Sequence, residues 1–350
     1  MKKDILVIRF SAIGDVAMTV PVVNAVATAN PDTHFTILTR QRMAPMFTWM
    51  PRNVSVIGID LNQYKGIAGL ERLYRHLRGH HFNAVADLHD VLRSKYLRTR
   101  FRMSGARVAV IDKGRKEKRE ILGQGLTHKP LKHTINRYQD VFTSLGLQCP
   151  VDNIQPINTH IEAAAHPDNQ ADINTATTNH GITIEYPAIG IAPFAAHQGK
   201  IYPLELMHQV VDILADAGNH IYLFGSPGEE AQQLGTWQRD GVVCVAGKMG
   251  GFTAELQFMS QLTLMISMDS SNMHMAAMVG TQTISIWGAT HPCAGFTAWN
   301  QGPDTYIQTD LDCRPCSIYG NRPCARTGYP CLNSISPQTI VDKARQYGAR

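Results

Sequence analysis

The stretch MKKDILVIRFSAIGDVAMTVPVVNAVATANPDTHFTIL, residues 1–38, reads as one complete strand–helix–strand unit. Its apolar run Ile5–Phe10 is short and nearly continuous, as a strand buried on both faces requires. Ser11, Ala12 and Gly14 form a small-residue turn, and Val16–Ala29 then carries apolar residues at helical spacing. His34–Leu38 returns to strand composition. A strand, a crossover helix and a second strand imply a parallel sheet with helices over its faces.

The alternation continues outward from this unit. Val54–Ile59, Ala84–Leu88 and Val108–Ile111 extend the strand series, and a helical pattern over His133–Leu145, ended by Gly146, closes the first half. EAAAHPDNQADINTATTNH, residues 162–180, is polar with little periodicity and reads as a linker or a solvent-exposed insertion. Strands then resume at Ala188–Phe194, His220–Phe224, Val242–Ala246, Leu264–Ser267 and Thr283–Trp287. Helical patterns lie over Leu204–Ala217, Ala254–Ser260 and Met273–Val279. The expected fold is α/β, with two Rossmann-like domains facing across a cleft. The first spans 1–161, the linker or insertion 162–187, and the second 188–350, with the last helix able to pack back on the first domain. Ligands of such lobes bind at the carboxyl ends of the strands.

The 350 residues are 44% hydrophobic and 17% charged, so large cores can form and disorder is not expected. The net charge of +5 is unevenly spread, with Arg93, Lys95, Arg98, Arg100, Arg102, Arg107, Lys113, Arg115, Lys116, Lys118, Arg119 and Lys129 in one block. That block suits phosphate-bearing partners or is a solvated surface. The opening has no apolar stretch long enough for a signal peptide, and no segment approaches the ~18 apolar residues of a membrane span. Seven cysteines do not suggest a full disulfide framework. The expectation is a soluble cytoplasmic protein.

Four motifs fall where strands should end. In RFSAIGDVAMTVPVV (9–23) Asp15 stands at the mouth of the expected cleft, either as a catalytic carboxylate or as a helix N-cap. The motif is not a GxGxxG fingerprint, which argues against a dehydrogenase. In IAPFAAHQGKIYP (191–203) Lys200 precedes a helix opened by Pro203, as a phosphate-neutralising cation or a surface lysine. In FGSPGEEAQQL (224–234) the turn at Gly225 lets a ligand approach the backbone. Glu229 and Glu230 there would accept from ribose hydroxyls or complement the helix dipole. In ISMDSSNMHMAAMVGTQTISIWGATHP (266–292), Asp269, Ser270, Ser271 and Asn272 lead into a helix holding His274 and offer an anion site at its start. Separately, Cys313, Cys316, Cys324 and Cys331 have zinc-like composition, but the second pair is spread too widely for a standard knuckle.

Taken in order, RFSAIGDVAMTVP, DLHDVLRSKYL, KIYP, FGSPGEE, MDSSNMHMAAMVGT and WGATHP resemble the bacterial ADP-heptose:lipopolysaccharide heptosyltransferase family, glycosyltransferases of GT-B architecture. The resemblance covers nearly the whole chain. It implies that Asp15 is the general base and that Lys200 supports the donor phosphates, Tyr202 replacing the family's usual tryptophan. It also implies a donor turn at Asp269, Ser270 and His274, with Ser271 and Asn272 in place of the common glycine and its neighbour. On the acceptor side it implies Ser11 and Gly14 with Arg93, Ser94, Lys95 and Arg98; Arg137 reads as a packing contact.

The implied reaction is one inverting displacement from an ADP-sugar to a lipopolysaccharide inner-core acceptor. No cofactor is required and no metal site is assigned. The expected partners are the nucleotide-sugar donor and an anionic lipid A–Kdo type acceptor, with peripheral contact to the inner membrane and no nucleic acid. Arg93, Lys95, Arg98 and Arg100 would line the acceptor rim, and Arg115, Lys116, Lys118 and Arg119 would touch the membrane. Two alternatives are carried: a nucleotide-sugar epimerase of the same architecture, and a non-enzymatic basic module for membrane or nucleic acid.

Overall fold

A computed structural model describes residues 3–123, 129–150, 154–157 and 181–350. Most of the expected linker, residues 162–180, lies outside the described residues. The chain divides into two compact units. The first runs to Lys113 and resumes at Thr134; the second takes Gly114–His133 and, of the described residues, 181–350. The exchange of 114–133 is not what a boundary at 161 implies. Contacts explain it: Leu131 N–H donates to Cys293 O (2.8 Å), Gly123 N–H donates to Pro315 O (2.8 Å), and Ile121 packs with Cys293 and Ala294.

In the first unit the elements are β1 (Lys3–Ile8), α1 (Ile13–Ala29), β2 (Thr33–Arg40), β3 (Val54–Ile59), α2 (Gly66–Leu77), β4 (Ala84–Asp87), α3 (Leu92–Met103) and β5 (Arg107–Val110). After the short α4 (Arg115–Glu120), which belongs to the second unit, α5 (Thr134–Ser144) returns to the first. All strands pair in parallel in the order β3-β2-β1-β4-β5. α2 is helical because Leu70, Leu73, Tyr74 and Leu77 recur at i, i+3, i+4 and i+7, and all four are buried. They pack with Leu6, Ile8, Phe10, Val85, Leu97 and Phe101 into one core. Each such fully buried Leu, Ile, Val or Phe contributes about 1.5–3 kcal/mol.

The second unit contains β6 (Ala188–Ala192), α6 (Leu204–Asp216), β7 (His220–Leu223), α7 (Glu229–Gly235), β8 (Val242–Cys244), α8 (Phe252–Met259) and β9 (Leu264–Met268). It ends with α9 (Ser271–Met278), β10 (Thr283–Trp287), β11 (Tyr306–Gln308), α10 (Pro330–Asn333) and α11 (Pro337–Gln346). The parallel order is β11-β10-β9-β6-β7-β8, a doubly wound Rossmann sheet. Every residue of β6, β9 and β10 is buried, as strands covered on both faces must be. Met207, Val210, Val211 and Leu214 of α6 face this sheet. β11 has no counterpart in the sequence reading, since three residues are too short a run to show a period. The last helix, α11, packs against α6 of its own unit. Its apolar face, Ile340, Val341 and Ala344, is buried in that unit's core.

Candidate functional site

Each sheet has one switch point where connections leave in opposite directions: between β1 and β4 in the first unit, and between β6 and β9 in the second. Ligands of such sheets bind beyond the carboxyl ends of the strands at these points. The motif residues lie at these edges.

In the first unit β1 ends at Ile8, so Arg9 and Phe10 stand past the strand rather than inside it. Arg9 is only 5% exposed. Its Nη1 donates to Leu88 O at 2.6 Å, and its Nη2 meets Asp15 Oδ2 at 2.5 Å. The ring of Tyr138 lies 5.8 Å from the guanidinium, and the Tyr138 hydroxyl donates to Asp15 O at 3.4 Å. α1 starts at Ile13, three residues before the expected Val16, with Ala12 as N-cap. Asp15 is therefore the third helical residue and not the cap; its Oδ2 accepts from Ala12 N–H at 3.3 Å. The carboxylate is 39% exposed, so an ion pair with a buried arginine and contact with solvent coexist in one group. Gly14 is buried in the first turn beside it.

His89 faces the same turn. Its Nε2 lies 3.4 Å from Ser11 Oγ, and its Nδ1 accepts weakly from Phe10 N–H at 3.4 Å. Burial, reinforced by the charges of Arg9 and Lys113, pushes the His89 pKa down to about 3, so the imidazole is neutral at pH 7. Below it, fully buried Asp87 accepts from the backbone N–H groups of His89 and Asp90, both at 2.9 Å, and binds Arg98 Nη1 at 2.7 Å. Asp90 adopts φ 47°, a costly conformation for a residue other than glycine, and also holds Arg98 at 3.0 Å and Lys95 at 3.7 Å. Burial raises the Asp90 carboxyl, but the Arg98 hydrogen bond and the charges of Lys95, Arg98 and Lys113 outweigh it and leave the pKa lowered.

Three acceptor-side expectations change here. Ser94 is fully buried; its hydroxyl accepts from Val91 N–H (3.0 Å) and donates to Val91 O (3.1 Å) to begin α3, so it is not on the surface. Arg98 is committed to Asp87 and Asp90, and Arg100 to Glu71, so both hold the fold. Arg93 is exposed and Lys95 partly committed. Arg137 is buried and reaches Asp112 O at 3.4 Å, as a packing contact would.

In the second unit Lys200 closes a 3-10 turn, Gln198–Lys200, after β6. Its side chain is 14% exposed and its Nζ meets Asp269 Oδ2 at 2.9 Å, which removes the surface-lysine alternative. Asp269, buried at the end of β9, also accepts from Thr290 Oγ1 at 2.8 Å. Gly320, at φ +75°, lies against the lysine stem, where an added Cβ would overlap Lys200 Cγ and Cδ. Ser270 is extended and caps α9, which begins at Ser271 and not at Met273. The first-turn N–H groups at Ser271 therefore open beside Lys200's partner, giving a positive helix end next to a positioned ammonium. His274 is buried on the same helix.

On the neighbouring turn, a Cβ at Gly225 would meet Leu234 and Glu230 at 3.1 and 3.2 Å. Glu230 Oε2 accepts from Ser226 N–H at 2.7 Å, and Glu229 is exposed in the first turn of α7. Tyr202 is fully buried with its hydroxyl on Ile335 O (2.7 Å), so it fills the core rather than facing a ligand.

Sequence reasoning passed over Arg9, His89 and Arg314. Arg314 is fully buried inside the cysteine-rich loop and donates to Gly288 O (2.6 Å), Thr290 O (2.9 Å) and Thr309 O (2.5 Å). It thereby fixes the strand end that carries Thr290 to Asp269. All seven cysteines are unbridged thiols, and burial pushes the Cys331 thiol up to about 11. Among the described residues no three His, Cys, Asp or Glu side chains gather closely enough to hold a metal ion.

The chain matches glycosyltransferase family 9 (heptosyltransferase) over residues 70–323. It is 25% identical over 291 residues to lipopolysaccharide heptosyltransferase 3 of Escherichia coli, covering 79% of this chain and 81% of that protein. Among solved structures, a family 9 glycosyltransferase from Veillonella parvula superposes with a TM-score of 0.72 at 19% identity, covering 99% and 97% of the two chains. ADP-heptose lipopolysaccharide heptosyltransferase II of E. coli gives 0.67 at 17% identity, covering 98% of each. The E. coli heptosyltransferase WaaC with ADP gives 0.67 at 17%, covering 98% and 99%.

Proposed function

The chain belongs to glycosyltransferase family 9, the heptosyltransferases, and from that premise we propose that it moves heptose from ADP-heptose to a lipopolysaccharide inner-core acceptor by a single inverting displacement. Membership makes it a glycosyltransferase acting in lipopolysaccharide heptose transfer in general. The donor, the acceptor, the base and the stereochemistry are our reading.

In that reading an acceptor hydroxyl oxygen attacks the anomeric carbon of the donor. The bond from that carbon to the diphosphate oxygen breaks, ADP leaves with the electron pair, and Asp15 takes the hydroxyl proton. Asp15 suits the task because Arg9 holds its carboxylate in place while part of it stays open to solvent. Neutral His89 and Ser11 would orient the acceptor without adding a competing charge. Lys200 and the N-terminus of α9 would hold the diphosphate and stabilise the charge that grows as ADP departs. Glu229 and Glu230 would accept from the ribose hydroxyls, and Arg93 and Lys95 would meet the anionic groups of a lipid A–Kdo type acceptor. We place this work at the cytoplasmic face of the inner membrane. Among the described residues no helix is long and apolar enough to cross a membrane.

The observation that supports the reading most is the Lys200–Asp269 pair, a cation held by a buried carboxylate beside an open helix start. Thermal melting with a panel of nucleotides tests it. ADP and ADP-sugars at about 100-fold their Kd should stabilise the fold by roughly 2.7 kcal/mol and raise the melting temperature by a few degrees. UDP and GDP at the same concentration should not. Equal stabilisation by all three nucleotides, or by none, would refute the ADP-sugar assignment.

A further inference from the structure

We propose that the first unit seats on an anionic bilayer through the starts of α2 and α3, with Ile67 and Leu92 entering the acyl boundary and Lys65 and Arg93 meeting lipid phosphates. Ile67 is 75% and Leu92 85% exposed, the two most exposed large apolar side chains among the described residues. A single exposed leucine is ordinary and needs no explanation. These two are a pair. α2 and α3 follow parallel strands, so both start at the carboxyl edge, and the helices pack together. Their register is fixed where Glu71 accepts from the Tyr96 hydroxyl at 2.7 Å and from Arg100 Nη2 at 3.0 Å. Ile67 lies four residues before Glu71 and Leu92 four before Tyr96. Each apolar side chain thus lies about one helical turn before a residue of this inter-helix contact.

The charge around them points to an anionic lipid surface. Lys65 precedes α2, Arg93 adjoins Leu92, both are exposed, and neither has an ion pair among the described residues. The first turns of α2 and α3 contain no acidic residue, although Asp90, just before α3, holds Lys95 and Arg98. Two exposed aliphatic side chains, each near an exposed cation, match the boundary between acyl chains and phosphates. Single-stranded nucleic acid would call for aromatic stacking platforms, and none is exposed at this edge. Arg115, Lys116, Lys118 and Arg119, the other cations expected to touch the membrane, belong to the second unit. Ile121 is buried there, and Lys118 stands 5.6 Å over the Phe296 ring.

The inference rests on the reading that the acceptor is lipid-borne, because it brings the bilayer to the edge that carries Asp15. Sedimentation of the full chain with phosphatidylglycerol/phosphatidylethanolamine vesicles tests it. Ile67→Ser with Leu92→Ser should lower vesicle partitioning by about 30-fold or more, with the melting temperature unchanged. Lys65→Glu should lower it about tenfold at low salt and much less at about 0.5 M salt. Lys116→Gln with Arg119→Gln should change it less than about twofold. Unaltered partitioning of the Ile67/Leu92 variant, or its loss in the Lys116/Arg119 variant, would overturn the proposal. Failure of the nucleotide panel leaves these vesicle results readable, so the two ideas fail separately.

Discussion

Asp15→Asn is expected to lower turnover by at least ~100-fold while ADP affinity stays within about twofold. Asparagine keeps the size of the side chain and an oxygen that can accept from Arg9 Nη2 and Ala12 N–H, the two donors now on Oδ2. It cannot take a proton from an acceptor hydroxyl. The change does leave buried Arg9 without its counter-charge, which costs stability, so melting is measured alongside turnover. ADP binding should be preserved because the groups assigned to it, Lys200 and the start of α9, belong to the other unit. If turnover is retained in a folded Asp15→Asn protein, the carboxylate serves only the helix start and Arg9.

Lys200→Ala should weaken ADP binding by about 1.5–3 kcal/mol, roughly ten- to a hundredfold in Kd. The variant also strands Asp269, which is buried and keeps only the Thr290 hydroxyl among its side-chain partners, so some thermal stability is lost as well. Gly320→Ala separates the two effects. It retains the ammonium but forces the lysine stem aside and strains a backbone at φ +75°. Calorimetric titration should show ADP affinity reduced in both variants, less in Gly320→Ala. An ADP affinity unmoved in both would restrict Lys200 to pairing with Asp269.

The alternation of short apolar strands with helices was legible because buried parallel strands carry continuous apolar runs, as in β6, β9 and β10. Asp15, Lys200 and Asp269 were legible as residues past strand ends. Their partners were not. Arg9 looks like a residue inside the expected strand Ile5–Phe10, yet it is a buried charge paired with Asp15 and bonded to Leu88 O, groups 6 and 79 positions away. Ser94 looks like a surface serine in a basic stretch, but the N–H and carbonyl of Val91 claim its hydroxyl. The basic segment 114–133 shows the same limit. Its charge is visible in the sequence, whereas its attachment depends on Ile121 and Leu131 finding Cys293 from far along the chain.

Transfer itself tests the central claim most directly. The full chain is incubated with ADP-heptose and a lipid A–Kdo acceptor, and ADP and the glycosylated product are measured together. The account predicts ADP and product in equal amounts, a mass gain of one heptose on the acceptor, and an anomeric configuration opposite to that of the donor. ADP-heptose consumed without a heptosylated acceptor, or product formed with retained configuration, would contradict it.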